Sequence, residues 1–321
     1  MAEASIPVDL FNPGQVFACL GFLEAADILL GDAEGGFAWE DGEARFILRA
    51  LGERNPFEVV LEFLASADPM PFAPMSYTDS SARKSDHDDG DAGDDPDEDV
   101  TNAAKSDPDQ SATFCAKQGD RMSLPIRIGG GNRPIVELSH WADGSGRECF
   151  KLYAGNRSAH KIARAMLKGV YEKPTIRQQI KREPGALKYK GVAQLWGEGQ
   201  DILVRKPFHA LTLMGGSFNF DPRGAWAAID AGYSPNKQKH AVEASPVVEV
   251  LAAWGLENAR PDEFEPREVS YSVWGALTPP ALARAALAGA IPSLPNRRFQ
   301  FRLGSSGKNS VVTFAQEEIL S

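Results

Sequence analysis

IPVDLFNPGQVFACLGFLEAADILLG, Ile6 to Gly31, decides the fold class. A short β-prone run, IPVDL, leads to Asn12-Pro13. There Asn offers an N-cap oxygen and Pro takes the first helical position, where its missing N–H does no harm. Val16, Phe17, Leu20, Leu23 and Ile28 then recur near the helical period, and Gly31 supplies the stop. Cys19 falls inside this apolar helix and reads as a small core residue. Further along, Phe37-Ala38-Trp39, the turn Asp41-Gly42 and Ala44 to Leu48 predict a hairpin. A second pair, Asn55-Pro56, opens a helix carrying Phe57, Val60, Leu61 and Leu64. Strand, helix, hairpin and helix in this order predict an α+β fold of mixed and antiparallel hairpins with several short amphipathic helices.

The rest of the chain continues the alternation. Ser123 to Ile128 and Pro134 to Leu138 flank the tip Gly129-Gly130-Gly131-Asn132, a glycine-rich hairpin bordered by Arg127 and Arg133. Its order does not fit GxGxxG and no helix follows, which disfavours a dinucleotide site. Trp141, Asp143-Gly144 and Cys149 to Tyr153 predict a further turn and strand. Asn156 is expected to cap a helix running to Lys168, with Ala159, Ile162, Ala163, Met166 and Leu167 inward and Arg157, His160, Lys161, Arg164 and Lys168 outward. Ser245-Pro246 starts the helix PVVEVLAAWGL, closed by Gly255. Glu268 to Leu277 alternates like a strand, and Pro279 to Leu287 is a short helix stopped by Gly289. Arg297 to Leu303 and Ser310 to Ala315 are expected to pair around GSSGKN, whose order is not that of a P-loop.

Charge is distributed unevenly. The formal net charge is −10 over 321 residues. Between Asp79 and Asp109 stand twelve acidic residues against Arg83, Lys84 and Lys105, so this segment carries nearly all of the excess. With hardly any large apolar side chain it cannot offset its ordering entropy, and a long disordered acidic insertion over 78–112 is expected. It divides the chain into an N-terminal α+β part, 1–77, and a main part, 113–321, packed together as one body. From Lys151 to Lys206 the sign reverses, with thirteen Lys and Arg against Glu172, Glu183, Glu198 and Asp201. No apolar run approaches the ~20 residues that span a bilayer. The start MAEASIPVDLF lacks the pattern of a signal peptide, so a cytoplasmic location with no membrane partner is expected. Three widely spaced cysteines and five scattered histidines predict reduced thiols, no bound metal and no cofactor.

Two patterns point to polynucleotides. The segment Gly215 to Lys239, GGSFNFDPRGAWAAIDAGYSPNKQK, mixes Phe218, Phe220, Trp226 and Tyr233 with cations and amides between two Pro and four Gly. A stretch so rich in turn formers is expected at the surface, where rings beside positive charge suit a sugar-phosphate strand. Its competing reading is a structural loop whose aromatics pin it to the core. Asn219, Arg223, Asn236, Lys237 and Lys239 are the candidates for base edges or phosphates. Arg127, Asn132 and Arg133 on the glycine hairpin are the second set. Arg177, Lys181, Arg182, Lys188, Lys190, Arg205 and Lys206 in the basic run are candidates for backbone contacts.

FNPGQVFACLGFLEAAD, VELSHWADGSGRECFKLYAG, FNFDPRGAWAAIDAGYSPNKQ, SPVVEVLAAWGLENARP and FQFRLGSSGKNSVVTF together resemble a small CRISPR-associated protein of the subtype I-U (I-G) effector modules, grouped with the Cascade large subunits. The resemblance covers nearly the whole chain except the acidic insertion. The chain is short beside ordinary large subunits. The resemblance implies a non-catalytic subunit at one end of a crRNA-guided complex. Such a subunit would contact crRNA and target DNA, help recognise the protospacer-adjacent motif, hold the R-loop, and meet backbone and crRNA-end subunits and the helicase-nuclease. The alternatives are a metal-free crRNA-processing endoribonuclease or a scaffold that binds only protein. For the former, His160, His209 and His240 have cations close in sequence, but no Ser-His-Asp order, HExxH or folded acidic cluster accompanies them.

Overall fold

The computed structural model describes residues 1–40, 42–72, 126–129, 134–138, 152, 158–181, 183–224, 243–265, 267–306 and 309–318. The predicted acidic insertion, the tip of the glycine hairpin and the turn and strand over 141–153 (apart from the buried Leu152) lie outside these residues. The fold is α+β, and every strand pairing among the described residues is antiparallel.

Strand β1, Ala2–Pro7, starts earlier than the IPVDL reading placed it. Helix α1, Pro13–Leu30, begins as predicted, with the Asn12 side chain accepting from the Gln15 N–H and Gly31 at φ +86° ending it. Strands β2, Glu34–Ala38, and β3, Arg45–Ala50, form the predicted hairpin, and β1 joins β3 to give the order β1-β3-β2. Helix α2, Pro56–Ser66, is capped by the Asn55 side chain, which accepts from the Phe57 N–H. Strands β4, Asp68–Pro71, β5, Ile126–Gly129, and β6, Val136–Leu138, make a second sheet; β4 was not foreseen.

Helix α3, Ala159–Lys168, buries the five apolar residues predicted for it. Its cap is Ser158, not Asn156: the Ser158 oxygen accepts from the Lys161 N–H. Strand β7, Val170–Tyr171, helix α4, Ile176–Lys181, strand β8, Leu187–Tyr189, and helix α5, Val192–Arg205, follow. After a 3-10 turn at Pro207–His209, β9, Thr212–Leu213, pairs with β10, Glu243–Ala244. Helix α6, Pro246–Gly255, is capped by Ser245, whose oxygen accepts from the Val248 N–H. Strands β11, Asp262–Glu265, and β12, Glu268–Trp274, precede α7, Pro280–Leu287. Strand β13, Asn296–Arg302, lies between β12 and β16, Gln316–Glu317. Strands β14, Gly304–Ser306, and β15, Asn309–Val311, form only a small hairpin of their own. The expected pairing of 297–303 with 310–315 is thereby corrected: β13 is claimed by a seven-residue register with β12, from Glu268↔Arg302 to Trp274↔Asn296.

The centre is α1 crossed by α6. Both helices are enclosed on every side and mostly apolar, with Gln15, Glu24 and Glu249 as buried polar exceptions: α1 is buried continuously from Pro13 to Ala26 and α6 from Pro246 to Gly255. Each large apolar side chain so buried contributes about 1.5–3 kcal/mol. Close approach depends on Gly14, Gly21 and Gly255, where any Cβ would collide with backbone of Phe220, Leu251 and Phe17 respectively. Gly255, the last residue of α6 as the sequence reading placed it, serves this packing as well. Ile28, read as a core position, is 46% exposed. By length and composition α1 could also cross a bilayer, but 78% of it is buried within this fold, so its apolar faces are already occupied. The N- and C-terminal parts interlock around it. The Tyr271 hydroxyl donates to the Leu10 carbonyl at 2.6 Å, and Trp274 Nε1 donates to the Gly35 carbonyl at 2.8 Å. Strand β12 alternates in sequence as predicted, yet Ser270 and Ser272 on its polar face are also buried.

Candidate nucleic-acid interface

Gly169, at φ +75°, ends α3 and turns the chain into an excursion, Val170 to Lys190, made of β7, α4 and β8. One side chain staples its base. Gln194 Oε1 accepts from the Gly191 N–H at 2.8 Å, while its Nε2 donates to the Lys168 carbonyl and the Tyr171 hydroxyl, both at 3.0 Å. Farther out the Glu172 N–H donates to the Ala186 carbonyl, and Thr175 and Gln178 cap α4 by mutual hydrogen bonds. Helix α4 then faces solvent on nearly all sides. Ile176 is 78% and Ile180 79% exposed, with Arg177 and Lys181 beside them and Lys173 and Lys188 on the flanking chain.

This arm gathers four cations without carboxylate partners among the described residues into one short excursion. Many arginines elsewhere meet carboxylates: Arg49 meets Glu3 and Glu34, Arg54 meets Glu58 and Glu62, Arg284 meets Glu24, Arg297 meets Glu317, and Arg298 meets Asp262 and Glu318, whereas the exposed Lys161, Arg164, Arg205, Lys206, Arg260 and Arg267 are scattered singly or in pairs without such a partner among the described residues. On the arm, Lys173, Arg177, Lys181 and Lys188 have no carboxylate partner among the described residues, although Glu172 and Glu183 belong to the same excursion. Lys188 instead lies 5.4 Å from the centre of the Tyr189 ring. Exposed cations held apart from carboxylates leave their full charge available to phosphates.

The structure divides the predicted basic run. Arg177, Lys181 and Lys188 share the arm. Lys190, at its foot, is neutralised by Glu198 at 2.7 Å. Arg205 and Lys206 sit at the far end of α5, about 20 Å along a helix of this length and beyond a kink at Gly199. Both are exposed, and Arg205 Nε donates to the Asp201 carbonyl. Arg182 lies outside the described residues.

The aromatic segment is corrected most. Phe218 and Phe220, expected at the surface as stacking platforms, are 1% exposed and belong to the core. Here the competing reading holds, because each ring gains more from burial against α6 than from display. Asn219 stands in the left-handed region at φ +69°, with a buried Nδ2 that meets no hydrogen-bond acceptor. Arg223 is held inward: its guanidinium donates to both oxygens of the fully buried Asp221, at 2.6 and 2.8 Å, and to the Phe208 carbonyl at 2.7 Å. It is a structural counter-ion and not a free phosphate ligand. Trp226, Tyr233, Asn236, Lys237 and Lys239 lie outside the described residues.

Arg127 is corrected in the same way. It pairs with Glu137 across β5 and β6 at 2.7 Å, and its guanidinium lies 3.7 Å over the Phe72 ring. Gly129, at φ +143°, abuts the Pro134 carbonyl, so glycine serves the turn itself at this position. Asn132 and Arg133 lie outside the described residues. His160 is half-buried and bonded to the Pro69 backbone; burial first, then Arg164 and Lys161, hold it below the ordinary histidine value. His209 is exposed and His240 lies outside the described residues. Among the described residues no three His, Cys, Asp or Glu side chains gather as metal ligands.

No family model, curated protein or solved structure matches this chain. The sequence reading had missed two groups. The isoleucines of α4 were legible as IRQQIK, apolar residues four apart in a basic stretch with too few neighbours to bury them. The buried carboxylate Glu249 was legible as a lone acid within the apolar run PVVEVLAAW.

Proposed function

We propose that this chain is a non-catalytic, polyanion-binding subunit of a crRNA-guided effector of the Cascade type, and that the β7–α4–β8 arm is its phosphate-contacting element. The observation that carries this reading is the clustering on one projecting arm of Lys173, Arg177, Lys181 and Lys188, all exposed and without a carboxylate partner among the described residues, while many other surface arginines are matched by carboxylates. Arg205 and Lys206 add a second, separate contact for a strand long enough to follow α5. The resemblance in sequence supports the crRNA-guided setting, with crRNA, target DNA, the other subunits and the helicase-nuclease as partners. In such a setting guide pairing reads sequence, so backbone contacts suffice for much of what the protein does.

The test replaces Lys173, Arg177, Lys181 and Lys188 together by Gln. All four are exposed, so folding is expected to persist. On duplex DNA the slope of log affinity against log salt should flatten by about 0.9 per lost phosphate contact, about 3.6 in all if each residue makes one. An unchanged slope would refute the arm as the phosphate-contacting element. Copurification of the wild-type chain with a guide RNA and backbone subunits tests the effector setting separately.

A second reading, a scaffold that binds only protein, is favoured by the exposure of Ile176 and Ile180. It requires Ile176→Ser with Ile180→Ser to abolish subunit assembly while the Gln set leaves it intact.

A further inference from the structure

The loop Ser217–Gly224 is fastened by charges that do not balance. Glu249, in the first turns of α6, is fully buried. Its Oε2 accepts from the Phe218 N–H and its Oε1 from the Asp221 N–H, both at 2.8 Å, and the Phe220 N–H and Ser217 hydroxyl also bond to it. Asp221, equally buried, accepts from the Arg223 guanidinium, from the Ser245 N–H at 3.0 Å and from Asn12 Nδ2 at 3.2 Å. Two buried carboxylates thus stand beside one guanidinium, and that guanidinium bonds Asp221. Arg223 directs its remaining nitrogen to the Phe208 carbonyl and not to Glu249.

Among the described residues the elements around Glu249 bring no second cation. The first turn of α1 offers Asn12 and Gln15, and the start of α6 offers Ser245. Lys161 and Arg164 of α3, and Lys206 and His209 beside Phe208, are exposed or half-exposed to solvent. One negative charge is left over where water does not reach, and an unpaired buried charge is relieved most readily by a proton. Backbone donors favour the ionised form of Glu249. Burial opposes them and dominates, with Asp221 adding to it, and together they raise the group to about 7. The Ser217 hydroxyl, able to donate or accept, is the neighbour that can take a hydrogen bond from the protonated carboxyl.

We propose that Ser217–Gly224 is a proton-coupled latch: it is closed on α6 while Glu249 holds a proton and is progressively released once that proton leaves. The proposal stands independently of nucleic-acid binding. In the open loop Glu249 returns to an ordinary carboxylate value. Closure is therefore favoured fully below that value and lost as pH rises through about 7. Between the two values the opening constant rises about tenfold per pH unit, which amounts to about thirtyfold from about pH 5.5 to about pH 8.

Amide hydrogen exchange of Phe218 and Asp221 in the full wild-type chain tests this, after correction for the pH dependence of chemical exchange. Protection should fall about thirtyfold across that range. Protection that is flat or grows with pH overturns the proposal. In Glu249→Gln the pH dependence should vanish, and a variant that keeps the wild-type slope also overturns it. Should the variant fail to fold, the wild-type exchange profile decides alone.

Discussion

Replacing Arg223 by Ala separates its two readings, phosphate ligand and structural counter-ion. The side chain is 22% exposed and Asp221 is 0% exposed, with a guanidinium–carboxylate contact of 2.6 Å. Removing one partner of a buried pair costs about 3–5 kcal/mol, because the remaining charge is stranded. Two features lower that figure here. Asp221 would retain the Ser245 N–H and Asn12 Nδ2 as donors, and the guanidinium is partly in contact with water. A loss of about 2–3 kcal/mol is therefore expected, after discounting for partial solvent screening. At about 2 °C per kcal/mol for a chain of this size, the melting temperature should drop by ~4–6 °C. Differential scanning fluorimetry and urea titration measure this. The salt dependence of nucleic-acid binding by the folded variant should match wild type. If melting stays within about 1 °C of wild type while affinity for DNA falls tenfold or more, Arg223 is a surface ligand and the assignment of the network is wrong.

Two further outcomes are expected. Gly21→Ala places a methyl group against the Leu251 backbone at the α1–α6 crossing and should cost about 1–3 kcal/mol, read as a lower urea midpoint; an unchanged midpoint would mean that the helices do not cross this closely. His160→Ala should leave any processing of crRNA by the assembled complex intact, because His160 is bonded to the Pro69 backbone and packs α3 beside β4; loss of cleavage would reverse the non-catalytic reading.

Local signals carried far into this fold. Asn12-Pro13, Asn55-Pro56 and Ser245-Pro246 each mark a helix start that the structure keeps, since an N-cap oxygen and a fixed proline φ act within one turn and need no distant partner. The inward face of α3 was legible residue by residue for the same reason. Pairings between distant elements were less legible. Strand β13 could satisfy its backbone with either neighbour in sequence, and only the long register offered by β12 decided the choice.

The candidate site divides along that line. Composition and spacing alone determined the α+β class, the starts of α1, α2 and α6 and the concentration of cations over 151–206, because propensity, capping and net charge are properties of a stretch. Which cations remain free was decided in three dimensions. Arg223 and Arg127 carry the same charge as Arg177, yet each meets a carboxylate supplied by its neighbours, whereas on the arm Arg177, Lys181 and Lys188 meet none among the described residues. Likewise Phe218 and Phe220 could be read as display or as core, and the packing of their loop against α6 buried them. A side chain's partner depends on what the fold brings within a few ångströms, and no reading of neighbours in sequence contains that distance.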